Sequence, residues 1–250
     1  MEDQMQANAK RWSLDDLLAE PIEESLETAL AELENNVVSL EAQRDSLTAD
    51  IATDTFFDIL RLYEETLDLN HRIGAYSELR FSEDTHDKVA LNLRDRVRAA
   101  LTQSGNLILF FSLWLKEMPD ETADRLIAAT DNYRYLLETE RKFKPHTLPE
   151  SEEQIINIKD TNGIEALMGI YDMITSKFTY TLEVNGETQT LTRDQLTTFY
   201  HDPSPDVRAA TYQELYRVYG DNSTVLAQMY NHRVRDWKNE GDLRKFEHPI

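Results

Sequence analysis

A chain of 250 residues with 40% apolar content is long enough for one large or two moderate domains, each with its own core. Its formal charge of −21, from 47 acidic against 26 basic residues, repels polyanions and argues against nonspecific binding of nucleic acid or acidic membranes. With no cysteine, disulfides, thiolate metal sites and a cysteine nucleophile are excluded together.

The amino terminus, residues 1–12, is polar and lacks the apolar segment of a secretory signal, so a cytoplasmic location is the expectation. The longest apolar run, Leu107 to Leu115, falls short of the roughly 20 residues needed to span a bilayer and reads as a helix buried on nearly all sides.

In chain order, Pro21 opens a long predicted helix. Its apolar positions Leu26, Leu30, Leu33, Val37, Leu40, Leu47 and Ile51 follow alternating four- and three-residue steps, interrupted at Arg44. Thr53-Asp54 begins a second helix with one stripe through Phe56, Leu60, Tyr63 and Leu67 and another through Ile59, Leu62, Leu69 and Ile73. Residues 22–80 therefore read as a long αα-hairpin projecting from the body.

A third helix is predicted from Ser82-Glu83-Asp84 through Val89, Leu93, Val97 and Leu101 into the apolar run ending at Met118. Arg94, Arg96 and Arg98 fall within it at two-residue spacing, which spreads them around the helix as a solvated or salt-bridged surface. Pro119-Asp120 starts a fourth helix carrying Ala123, Leu126, Ile127, Thr130, Tyr133 and Leu137.

The two prolines of Lys142-Phe143-Lys144-Pro145-His146-Thr147-Leu148-Pro149 mark an internal boundary, with His146 read as an exposed loop residue. Beyond it the pattern is helix, a break at Asn162-Gly163, and helix to about Ser176. Then Phe178 to Val184, the turn Asn185-Gly186 and Thr188 to Thr192 give a β-hairpin signal. Thr192 with Gln195 fits a capping box, and Ser204 with Pro205 fits an N-cap followed by a first-turn proline. The last predicted helix carries Val225, Leu226, Met229, Tyr230, Arg233 and Trp237 on one broad stripe, and the end at Arg244 to Ile250 reads as an interruption. The fold class is mainly α: a multi-helix bundle with a long antiparallel helical hairpin and one short β-hairpin.

This hairpin and its two closely spaced helix starts form a recognisable order. It includes Trp12-Ser13-Leu14-Asp15-Asp16-Leu17, the segment from Tyr133 to Ile155, the segment from Thr190 to Tyr216, and that from Leu226 to Trp237. The order resembles the oligoendopeptidase F branch of the thimet-oligopeptidase-like zinc metallopeptidases. The resemblance implies that the chain matches only the amino-terminal part of such enzymes. It divides into residues 1–144, a helical domain with the αα-hairpin, and residues 145–250, a helical segment with the β-hairpin that starts the peptidase body before the zinc motif. Members hold zinc through His-Glu-x-x-His and a later glutamate, with the first glutamate activating the metal-bound water.

No such motif occurs here. The histidines His71, His86, His146, His201, His232 and His248 include no pair three or four residues apart, so no two share a helical turn. Gly-x-Ser-x-Gly, a phosphate-binding glycine loop and a dinucleotide fingerprint are missing too. Catalytic residues and metal ligands are therefore assigned to no position, and the substrate-binding residues are unknown. No cofactor is expected in this chain, with zinc expected in the full-length enzyme. The implied function is the non-catalytic amino-terminal part of an oligopeptidase, inactive alone, with an oligopeptide substrate and a missing carboxyl-terminal catalytic half as partners, and no nucleic-acid or membrane partner. The alternative is a stand-alone helical scaffold or adaptor that binds a partner helix or peptide.

Overall fold

The computed structural model describes residues 13–184 and 186–248. Trp12, Asn185 of the turn and the terminal Ile250 lie outside the described residues. The chain forms two compact units, Met1–Lys144 and Pro145–Ile250. The fold is mainly α with one small antiparallel sheet.

Three long helices dominate the first unit: α1 (Ile22–Glu41), α2 (Thr53–Glu83) and α3 (Lys88–Glu117). Arg96 on α3 forms ion pairs with both Glu23 and Glu27 on α1, and the Arg44 guanidinium beyond α1 lies 4.8 Å from the Phe110 ring, so α1 and α3 run the same way. Along α2 the order reverses, since Arg98 pairs with Glu78 while Phe111 stacks on Phe56 and packs tilted against Tyr63. The expected antiparallel hairpin is present, but it does not project. α3 packs along both of its arms and closes a three-helix bundle.

Phe56, Tyr63, Phe111 and Trp114 meet at the bundle's centre, with ring centroids 4.8 to 6.4 Å apart. Phe56 and Phe111 are completely buried, each contributing about 1.5–3 kcal/mol of transfer free energy. Burial also pushes the Tyr63 hydroxyl up to about 12. The run from Leu107 to Leu115 supplies this core through Ile108, Phe110, Phe111, Leu113 and Leu115.

Four further sequence expectations change in this unit. α1 ends at Glu41, ten residues before Ile51, although Ile51 is still buried. What replaces the helix is tertiary hydrogen bonding: Thr122 Oγ1 donates to the Ala49 carbonyl (2.9 Å) and Arg125 to the Ile51 carbonyl (2.8 Å). The third helix starts later than Ser82-Glu83, because α2 continues through Glu83 and Asp87 caps α3 by accepting from the Val89 N–H (2.8 Å). Val89 is consequently exposed.

Arg94 does not lie on a solvated surface. It is 4% exposed, with its guanidinium carbon 3.6 Å from the centre of the Phe81 ring. The fourth helix is two: α4 (Asp120–Ala128) and α5 (Arg134–Lys142). Thr130 Oγ1 accepts from the Tyr133 N–H at the break, and the Tyr133 hydroxyl donates to Glu64 (2.7 Å).

The second unit contains α6 (Glu150–Asn162), α7 (Ile164–Thr175), β1 (Tyr180–Val184), β2 (Glu187–Leu191), α8 (Arg193–Thr198), α9 (Pro205–Asp221) and α10 (Ser223–Leu243). Gly163 separates α6 from α7 at the expected break. His146 is corrected: it is half-buried in a short 3-10 turn, its Nδ1 2.8 Å from the Arg244 carbonyl and its ring stacked 3.9 Å from Phe246.

Candidate functional site

The β-hairpin and the two helix starts that follow it assemble the most chemically distinctive region of the second unit. β1 pairs with β2 from Tyr180↔Leu191 to Val184↔Glu187, which leaves a two-residue turn. Gly186 there has φ +81°, a left-handed conformation that a side chain would strain. Alternation turns Tyr180, Leu182 and Leu191 inward, where they form a core with Leu196 of α8 and Val218 of α9.

Capping then fixes the helix directions. Thr192 and Gln195 complete the reciprocal capping box that opens α8, which sets Arg193 on its first turn. Ser204 accepts from the Val207 N–H, with Pro205 beginning α9. Glu214 on α9 accepts from the Thr181 N–H (2.7 Å), so it covers an edge amide that β2 does not reach. Arg217 grips the same carboxylate through two nitrogens at 2.7 and 2.8 Å and holds it below the usual carboxylate range.

This frame brings four tyrosines to Arg193. Tyr219 packs edge-on against Phe178 (5.7 Å) and flanks the buried Tyr180. It lies close enough to Tyr171 and the Arg193 guanidinium to raise both. Burial pushes the Tyr180 hydroxyl up to about 12 and also raises Tyr171 and Tyr200. Tyr180 is 0% exposed, and its hydroxyl has no hydrogen-bond partner among the described residues. Next to Tyr200, the Tyr212 and Tyr216 rings pack tilted against each other one helical turn apart on α9, with centroids 4.5 Å apart and each residue 57% exposed.

Among the described residues no three histidine, aspartate or glutamate side chains gather as a zinc ligand set requires. His86 lies beside Asp84 and Thr85 in the first unit, and His146 is held by Arg244 and Phe246 in the second. The described residues thus do not fit the zinc site that the resemblance implies for the whole enzyme. Sequence reasoning left the substrate-binding residues unknown and missed the Arg193 cluster. The hairpin register carried its signal, because Tyr180 opposite Leu191 places it two residues from Arg193.

The sequence profile described as Oligopeptidase F matches residues 114–180. Oligopeptidase PepF of Bacillus subtilis (strain 168) is 18% identical over 241 residues, covering 94% of this chain and 35% of that protein. The crystal structure of oligoendopeptidase-F from Enterococcus faecium superposes with a TM-score of 0.73 at 15% identity, covering 91% of this chain and 46% of that one. That of a putative peptidase from Chlamydophila abortus gives 0.57 at 13% identity, covering 95% and 40%. The chain is thus similar to the amino-terminal part of an oligoendopeptidase F-type peptidase and spans about a third of the length of its curated relative. No helix among the described residues is long and apolar enough to cross a membrane.

Proposed function

We propose that this chain is the amino-terminal, non-catalytic part of a zinc-dependent oligopeptidase that hydrolyses short peptides within an enclosed channel. The observation that carries this reading is the match along 94% of the chain to 35% of an oligopeptidase. The metal, the general base and the oxyanion stabiliser would come from a carboxyl-terminal catalytic portion, with these helices restricting entry to flexible peptides. The whole enzyme would work in the cytoplasm.

α10 supports the need for that partner. None of its residues is buried, and Tyr230, Val234 and Trp237 are exposed along one face. An apolar face of this kind on a long helix suits packing against a further part of the same enzyme.

The test is hydrolysis of an internally quenched heptapeptide with zinc supplied, by the 250-residue chain alone and mixed with the catalytic portion of an oligoendopeptidase F. The chain alone should give no turnover above buffer, and the mixture should cleave faster than the catalytic portion by itself. Chelator-sensitive cleavage by the chain alone would overturn the non-catalytic assignment. No effect of the chain on the catalytic portion would favour a stand-alone adaptor.

A further inference from the structure

A cleft of about 430 Å³ opens in the first unit, where α2 passes the break between α4 and α5. Asp54, Phe57, Asp58 and Arg61 line it from one face of α2, three and four residues apart, and Thr130 and Tyr133 line it from the break. The Phe57 and Tyr133 rings lie nearly parallel, with 22° between planes and 6.1 Å between centroids, so they form one continuous aromatic floor. Tyr133 is fixed at both ends, because its N–H donates to Thr130 Oγ1 (3.3 Å) and its hydroxyl donates to Glu64 (2.7 Å). Three features then favour positive charge. The Asp54 carboxylate is exposed and takes no part in the Arg61–Asp58 pair. α4 ends at the cleft, where Ala129 caps it, and a helix C-terminus carries partial negative charge. The aromatic rings add the negative face of their quadrupole. Arg61 is the opposing charge, and its pair with Asp58 joins two exposed side chains, a contact that opens easily.

We propose that this cleft binds a guanidinium group, as an arginine side chain of a peptide presents it. A guanidinium is planar and weakly hydrated, so its face lies on the Phe57–Tyr133 floor while its edge donates to Asp54. An ammonium is a strongly hydrated point charge and gains less from the rings. An anion would meet Asp54, Asp58 and the end of α4 with the wrong sign, and a neutral amide would draw little from them. The volume falls within the range of small-ligand sites and leaves room for the stem of an arginine behind its head group. Arg61 competes for the same carboxylates, so the chain's own guanidinium limits the affinity for an incoming one.

The experiment is an amide-resolved NMR titration of the full 250-residue chain with N-acetyl-arginine amide. N-acetyl-citrulline amide serves as the neutral isostere and N-acetyl-lysine amide as the non-planar cation. Shifts should concentrate in residues 53–61 and 129–134, with the arginine probe bound about tenfold more tightly than citrulline and several-fold more tightly than lysine. Asp54→Asn and Phe57→Leu should each weaken the arginine probe about fivefold. Glu32→Gln, at an exposed acid on α1 that does not line the cleft, should leave it unchanged. Arg61→Gln should strengthen it several-fold by releasing Asp58, a gain that a misfolded variant could not give. Equal binding of arginine and citrulline, or of arginine and lysine, overturns the guanidinium site. So does a Glu32→Gln variant as weak as Asp54→Asn, since the chain's overall negative charge would then be the attraction. Absent or dispersed shifts, or an Arg61→Gln variant that fails to bind more tightly, overturn it as well.

Discussion

Arg244, just beyond α10, holds Glu153 near the start of α6 in a two-pronged pair at 2.6 and 2.8 Å, ninety-one residues away in sequence. Glu153 also accepts from the Leu148 N–H (3.0 Å), and Arg244 pairs with Glu240 on its own helix. Both side chains are largely buried, so removing either leaves its partner's charge with little water to compensate it. Arg244→Ala should therefore destabilise the second unit by about 3–5 kcal/mol, seen as a lower urea midpoint by circular dichroism. Arg244→Lys should recover only part of this, because an ammonium cannot reproduce the fork.

Glu214 predicts a particular pH dependence. Arg217 and the Thr181 N–H hold its carboxyl below the ordinary value, so the native state favours the ionised form. The stabilisation is fully present above about pH 4.5, the unfolded range for glutamate, and is lost as pH falls through the lowered native value. Glu214→Gln should cost about 2 kcal/mol at pH 7, the scale of a charged hydrogen bond. The same variant should flatten the acid limb of a melting-temperature profile between pH 5 and 3, whereas an unchanged limb would show that Glu214 does not anchor β1 to α9.

Asp160 behaves in the opposite sense. Burial raises its carboxyl, and Glu240, Asp236 and Glu165 raise it further by repulsion. Its ionisation opposes folding at neutral pH, and that penalty disappears as pH falls below the raised native value. Asp160→Asn should therefore stabilise the protein at pH 7 by about 0.5 kcal/mol, with the gain vanishing near pH 4. Differential scanning fluorimetry at the two pH values reads this directly.

The connection between α1 and α2 tests whether tertiary hydrogen bonds set the helix end. Thr122 is buried and donates to the Ala49 carbonyl from α4. Thr122→Val keeps the shape and removes the donor, at a cost of about 1–2 kcal/mol. Hydrogen exchange of the amides of residues 47–51 should accelerate more than exchange within α2. A uniform change across the unit would mean that the bond has no local role.

These residues also mark how far the sequence is legible. The hairpin was readable because Asn-Gly needs only local chemistry, and both helix caps after it follow from residues three positions apart. The end of α1 was not readable. Leu47 and Ile51 continue the apolar spacing, yet the non-helical segment that carries them is held by Thr122 and Arg125, more than seventy residues away. Local periodicity likewise could not distinguish one helix from two across Thr130, since Leu126 and Leu137 face the same core from α4 and α5. His146 failed for the same reason: flanking prolines indicated a loop, but its exposure was decided by Arg244 and Phe246. In the candidate site, the positions of Tyr180 and Arg193 follow from register, whereas the arrival of Tyr171 and Tyr219 depends on packing of α7 and α9.

Arg94 supplies the sharpest energetic test in the first unit. Arg96 and Arg98 bond acidic residues at half-exposed positions, while Arg94 places its guanidinium over the Phe81 ring at 3.6 Å and only 4% exposed. In that setting the quadrupole of the ring faces a desolvated cation, where such contacts reach about 2 kcal/mol. Phe81→Leu retains apolar volume and removes the π-face, and Arg94→Met retains the stem and removes the charge. A double-mutant cycle by urea denaturation should give a coupling of at least about 1 kcal/mol between them. Additive costs would mean that Arg94 is held by its hydrogen-bonding surroundings and that Phe81 contributes only buried area.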